Sequence, residues 1–305
     1  MENSITAPVL LIAFNRPDTT IEVFKKIREA KPSKLYIAVD GYRSFKKGEQ
    51  QLVEQVISIV QEVDWQCEKH FRFNEVNLGA EINVSTAISW VLEKEEYVII
   101  LEDDIVAPIS FFKFTQEMLI KYKNENKIWA ISGVNFTPLP NKNGEDYFFS
   151  KYGHTWVWAT WRRVWSKFNL NTEIEEKHLT KKFLRSITNT KKELYYFKRK
   201  FERIRKNGKG NSTWDNIASY IHRTNNWLYI VPRVNLISNI GIQGLHAKRK
   251  TKYHYTEYDE NFVVKKHPND IVCNIDYDKY HFQKYIDAKP FIIIFLYKIM
   301  KLLKR

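Results

Sequence analysis

The chain has 305 residues, 44% of them hydrophobic, with 9 Trp, 17 Tyr and 19 Phe, which excludes a disordered tail, a coiled coil and a collagen-like repeat. The formal net charge is +14, but 13 Lys/Arg against 2 Glu fall between Lys177 and Lys209, and 5 Lys/Arg without an acid fall between Lys289 and Arg305. The remainder is nearly neutral, so the positive charge belongs to two attachments and not to one broad phosphate-binding face, which argues against a nucleic-acid binder.

In chain order, Val9-Leu-Leu-Ile-Ala-Phe14 is a continuous apolar run, as expected of a strand covered on both faces. Asn15-Arg16-Pro17-Asp18 turns the chain into a helix over 19–30. Leu35 to Val39 is a second strand ending in Asp40-Gly41, and 49–63 is helical with Leu52, Val53, Val56, Ile57 and Val60 on one face. A short strand at 71–73, a helix over 81–92, a buried strand at 97–101, a helix over 110–122 and a strand over 128–134 complete the series. This alternation predicts an α/β fold: a mostly parallel sheet with helices on both faces. Ligands of such sheets bind at the carboxyl ends of the strands. Asn15-Arg16, Asp40-Gly41 and Glu102-Asp103-Asp104 therefore converge on one edge.

Three consecutive acids after a buried strand repel one another, and a divalent cation held by oxygen ligands relieves that repulsion. Mg²⁺ typically takes one or two protein carboxylates and completes its shell with phosphate and water, so a metal carrying a diphosphate suits the triplet. The plainer alternative is a solvated acidic turn. There is no GxGxxG, GxxxxGK[ST], GxSxG or HExxH, which argues against dinucleotide oxidoreductases, P-loop enzymes, serine hydrolases and zincins. Cys67 and Cys273 stand alone, so neither a disulfide framework nor a cysteine zinc site is expected, and a reducing compartment is. The segment from Met1 to Ala7 does not read as a secretory signal.

These residues resemble glycosyltransferases of the GT-A type, more narrowly the inverting N-acetylglucosaminyltransferase I family and its bacterial relatives, over most of 8–250. Ile12-Ala-Phe-Asn-Arg16 looks like the family's first strand and its Arg, and Asp40-Gly41 like the second strand's Asp that contacts uracil. Leu101-Glu102-Asp103-Asp104, followed by Ala107-Pro108-x-x-Phe111-Phe112, looks like the Glu-Asp-Asp metal motif. The resemblance implies that Asp104 binds Mn²⁺ or Mg²⁺ while Glu102 and Asp103 contact sugar and ribose. Tyr152-Gly-His-Thr-Trp-Val-Trp158 resembles the aromatic segment beside the donor sugar, and Thr213-Trp214-Asp215-Asn216 the Trp-Asp pair whose Asp is the catalytic base. Pro232 through Asn239-Ile-Gly241-Ile-Gln-Gly244-Leu-His246 resembles the loop that orders over the donor, with His246 approaching metal or pyrophosphate. Taken by themselves, Ser212 to Asp215 fit a helix capping box instead.

The implied activity is metal-dependent inverting transfer of a sugar from a nucleotide diphosphate, UDP being expected, to a hydroxyl of a glycan or lipid-linked acceptor. Arg16, Asp40, Glu102, Asp103, Trp158 and His246 are the expected donor contacts, Asp104 the metal ligand and Asp215 the base. Residues 1–250 form the expected catalytic domain, with a nucleotide-binding half (1–135) and an acceptor half (136–250) that carries the unfamiliar basic insertion 177–209. In the extension 251–305, seven apolar residues at 291–297 followed by lysines are too few for the ~20 that cross a bilayer. They suit an amphipathic helix, 290–305, lying on an anionic membrane, hence a cytoplasmic protein at the inner face of the cell membrane. The competing classes are a polyanion-binding module built on 177–209, where Tyr195, Tyr196 and Phe197 interleave with lysines, and a sugar nucleotidyltransferase.

Overall fold

A computed structural model describes residues 4–137, 144–241 and 254–287. Apolar runs with no polar side become the central strands. β1 (Val9–Ala13) is buried along its whole length, and after α1 (Pro17–Ala30) the chain returns in β2 (Lys34–Val39). There follow α2 (Glu49–Gln61), β3 (Glu68–Phe73), α3 (Gly79–Leu92), β4 (Tyr97–Glu102), β5 (Ile105–Val106), α4 (Ile109–Lys121) and β6 (Ile128–Ser132). The second half supplies β7 (Tyr147–Ser150), β8 (Val157–Trp161), α5 (Arg162–Trp165), α6 (Lys181–Ile187), α7 (Lys191–Asn207), α8 (Trp214–Thr224), β9 (Leu228–Pro232), β10 (Ser238–Asn239) and α9 (Ile275–His281).

Eight strands form one sheet in the order β3-β2-β1-β4-β8-β6-β9-β7. Six run in one direction, and β8 and β7 run against them. The predicted mostly parallel α/β sheet is thus present, and its antiparallel members come from the half where the alternation of strand and helix breaks down. Ile12 lies level with Glu102 and Ala13 with Val39, so the segments after β1, β2 and β4 leave the sheet at a single edge. At that edge β5 pairs with β10 in a small second sheet.

The basic insertion is helical, as expected, and it is anchored. α7 buries Leu194, Phe197, Phe201 and Ile204 and turns its lysines outward except Lys200, which is half-buried. Thr190 caps the helix by accepting from Glu193 N. Buried Glu193 also accepts from the Tyr152 hydroxyl at 2.6 Å and pairs with buried Arg223 of α8 at 3.3 Å. The Arg223 guanidinium lies over the rings of Tyr152 and Phe197, which shields the pair from water. Residues 254–287 pack onto the same body: buried Asp278 accepts from the Ser150 hydroxyl, and Phe262 meets Phe114 edge-on. The helix expected over 290–305 lies outside the described residues. No helix among the described residues is long and apolar enough to cross a membrane.

Two histidines are buried without charge compensation. His222 is held between the rings of Trp129 and Tyr229, and His281 stacks on Tyr152; burial pushes both below the usual imidazole range, His281 to about 3. The unfolded chain takes up protons at these rings near pH 6.5, whereas the folded chain does not, so their stabilising contribution is complete above that pH and falls as the solution is acidified. The stability gap between the protein and a His222→Gln variant is expected to narrow by up to about 2 kcal/mol between pH 7.5 and 5.0. Urea unfolding at the two pH values measures this. An unchanged gap would mean the ring is charged or paired.

Candidate functional site

The acidic triplet begins at the last residue of β4, and its three carboxyls have different surroundings. Asp103 is 2% exposed and accepts from Phe14 N, just past β1. Asp104 faces the small sheet, where its carbonyl accepts from Ile240 N at 2.9 Å. Arg16, at the start of α1, forks across the edge and pairs one guanidinium nitrogen with Asp103 and the other with Asp104. Burial works against that charge, but Asp103 and Asp104 overcome it and hold the guanidinium protonated. One guanidinium does not neutralise three carboxylates. Burial, then Asp104 and Asp103, push the Glu102 carboxyl up to about 8, and burial raises Asp103 as well.

Asp215 belongs to the same electrostatic unit, since its charge also acts on Glu102. It lies in the first turn of α8, whose start is fixed from outside: Trp214 N donates to Glu81 Oε2 of α3 at 2.6 Å. The capping-box alternative does not form. Thr213 is the cap residue, it makes no side-chain bond to a backbone N–H, and the Ser212 hydroxyl is buried without a partner. Glu81 satisfies the helix end instead, so the Asp215 carboxylate is not consumed in capping.

Asp40 sits at the end of β2, but its oxygens are committed. They accept from Gly41 N, Asn74 Nδ2, Asn77 Nδ2, Leu78 N and Gly79 N, and so tie the β3–α3 connection to the sheet edge. A nucleobase there would have to displace one of these donors or bind the rim they shape. Trp158 is 1% exposed in the centre of β8, between β4 and β6. It presents no surface to a ligand and lies in a ladder of near-parallel indoles running Trp227–Trp129–Trp158–Trp214. The ladder ends one residue before Asp215, so Trp158 bears on the site by positioning Trp214. Trp158→Ala is expected to cost about 3–5 kcal/mol of stability, read from the urea midpoint; a cost below about 1 kcal/mol would show that the ladder is not packed as described.

Gly241 closes over the triplet. A Cβ there would run into the Asp104 carboxylate, so the chain passes as near to that group as a backbone can. Gly241 N donates to Asn239 Oδ1, and His254 Nε2 lies 3.0 Å from Gly241 O, which holds the approach in place. His246 and Gly244 lie outside the described residues.

Among the described residues no group of three or more His, Cys, Asp or Glu side chains is placed to hold a metal ion by itself. The donor set nevertheless suits a hard cation that brings its own ligands. It is all oxygen, it carries excess negative charge, and a guanidinium already stands where positive charge is needed. Asp104, under Gly241 and less buried than Asp103, is the side chain that could hold such an ion.

Several contributors escaped the sequence reading. Glu81, Asn74 and Asn77 act through the tertiary structure alone, and no local pattern marks them. Lys200 and Tyr196 of α7 are both acted on by Asp215, and the only earlier sign of them was the charge of the insertion.

No protein-family model matches the chain, and no curated sequence matches it. Solved structures share part of its backbone. HddC from Yersinia pseudotuberculosis aligns at TM-score 0.33 and 10% identity, over 53% of this chain and 80% of its own. The mannosyltransferase PcManGT from Pyrobaculum calidifontis, solved with GDP-Man and Mn²⁺, aligns at TM-score 0.38 and 11% identity, over 73% and 71%. S. aureus TarS 1–349 aligns at TM-score 0.38 and 11% identity, over 74% of this chain and 57% of the TarS chain. The functional reading rests on the site.

Proposed function

We propose that the protein is a metal-dependent inverting glycosyltransferase that moves a sugar from a nucleotide-diphosphate donor, UDP first among the candidates, to an acceptor hydroxyl. One observation carries this reading: Glu102, Asp103 and Asp104 gather with Arg16 at the sheet edge, and the charge of Asp215, on a separate helix, reaches Glu102. When bound, Mn²⁺ or Mg²⁺ supplies positive charge against the leaving diphosphate. The remaining work falls to the chain. Asp104 holds the ion, and once the ion neutralises the carboxylates Arg16 turns onto a phosphate, a partner that suits its planar fork equally well. Glu102 and Asp103 face the sugar and ribose, while the rim shaped by Asp40, Asn74 and Asn77 receives the base. Asp215 takes the proton from the acceptor hydroxyl as that oxygen attacks the anomeric carbon from the face opposite the leaving diphosphate, which inverts the configuration.

The acceptor is a glycan or a lipid-linked sugar, with 177–209 beside it. We assign to the apolar and basic sequence of 290–305 the task of bringing the enzyme to the inner face of the membrane.

A thermal-shift series of nucleotide sugars, with and without Mn²⁺, tests the donor site. A donor at about 100 times its Kd should add about 2.7 kcal/mol of stability, and the gain should require the metal. A series without any metal-dependent shift would remove the reading.

A further inference from the structure

The insertion contributes more than scaffold. Tyr196, Lys200 and Arg203 of α7 follow one another at spacings of four and three, and so share one face of the helix. Lys200 on that face meets the middle of α8. The Lys200 ammonium donates to the Ser219 hydroxyl at 3.0 Å, and Ser219 is one helical turn beyond Asp215 on the same side of α8. Lys200 is therefore half-buried, with its ammonium on a residue one helical turn beyond the one assigned as the base.

The charges do not cancel here. Of the eight cations on α7, Lys192 pairs with Asp287, Lys198 with Glu202 and Arg205 with Glu176, while Lys191, Arg199 and Lys206 stand exposed in solvent. The buried Arg223 is spent on Glu193. Among the described residues Lys200 and Arg203 close none, and Asp215 is the single carboxylate that acts on Lys200. Burial of the ammonium lowers it to about 8 even with that carboxylate near, the sign of a cation with too little negative charge around it. Tyr196 completes the face with a half-exposed phenol ring, braced edge-on against Phe282.

We propose that Lys200 and Arg203 form an anion subsite on the acceptor side of Asp215, and that the acceptor carries a phosphate close to its reactive hydroxyl. This rests on the reading of Asp215 as the base. A neutral acceptor would leave two cations uncompensated beside the site, whereas a phosphate one turn from the reacting hydroxyl satisfies both. It also offsets the repulsion that an anionic acceptor would meet at the acidic rim. Tyr196 offers a flat ring for a sugar or an aglycone to lie against.

Calorimetric titration of the full chain with phenyl phosphate, and with phenyl β-glucoside as the neutral control, tests the subsite. Phenyl phosphate should bind and the glucoside should not. Lys200→Met, which keeps the aliphatic stem, should weaken binding about 10- to 100-fold; Arg203→Gln, on an exposed position that does not endanger folding, should weaken it in the same direction. Asp104→Asn should bind phenyl phosphate like the unmodified protein, because the donor side is not involved. A second arm replaces phenyl phosphate with phosphatidylglycerol vesicles against phosphatidylcholine vesicles. Lys200-dependent binding in either arm upholds the phosphate subsite, and the arm in which it occurs tells a soluble phosphate from a lipid headgroup. Absence of binding in both arms overturns it, as does binding indifferent to Lys200→Met or abolished by Asp104→Asn. Failure of the donor series is a separate measurement and would remove the glycosyltransferase reading while leaving this titration interpretable.

Discussion

Asp215→Asn is expected to lower transfer about 10²- to 10⁴-fold, the usual contribution of a positioned base, while donor affinity stays within about twofold. The substitution keeps the size of the side chain and removes its basicity. It leaves the local fold intact, because the start of α8 is held by Glu81 bonding to Trp214 N and by the stacking of Trp214 on Trp158, neither of which involves the Asp215 carboxylate. Donor binding survives because the acidic triplet and Arg16 are untouched. The measurement is single-turnover transfer together with a donor titration on the same preparation. Transfer within about threefold of the unmodified rate would remove Asp215 from the mechanism, and a lost donor affinity would place it on the donor instead.

Arg16→Met should destabilise the protein by about 3–5 kcal/mol, the cost of leaving buried charges without their partner. Asp103 is almost wholly buried and Arg16 itself is only one-quarter exposed, so solvent does little to screen the loss. The distinctive part of this prediction is its repair. If the edge is built for a divalent cation, millimolar Mn²⁺ restores a large share of the lost stability, because the ion supplies the positive charge that the guanidinium no longer does. The unmodified protein, already neutralised in part by Arg16, should gain less. Urea midpoints for both proteins, with Mn²⁺ and with EDTA, give the comparison. An equal response to Mn²⁺ in the two would show that the carboxylates do not hold the ion.

The two predictions separate the halves of the site. Arg16 and the triplet come from the ends of parallel strands, and Asp215 comes from a helix that the chain reaches only after the basic insertion. In the proposed function the first group serves the donor and the second the acceptor, so a defect in one half should leave the other measurable.

Apolar runs of five or six residues, alternating with helical spacing, determined the parallel half of the sheet, because strands buried on both faces have no polar face to present. The position of Glu102-Asp103-Asp104 directly after such a run likewise determined that the acids gather at the sheet edge with Arg16. Those are local patterns, and they were legible. Asp40 at a strand end was legible too, but four of its five hydrogen-bond donors come from a loop more than thirty residues away. Trp158 shows the same division. A tryptophan in an aromatic segment reads as a surface for a sugar, and only the pairing of β8 between β4 and β6 buries it in a ladder of indoles. Lys200 is one of 13 basic residues in its stretch, and nothing in the stretch distinguishes it; the packing of α7 on α8 does. Spacing along the chain reports which face a residue occupies, while what that face meets depends on contacts between residues distant in sequence.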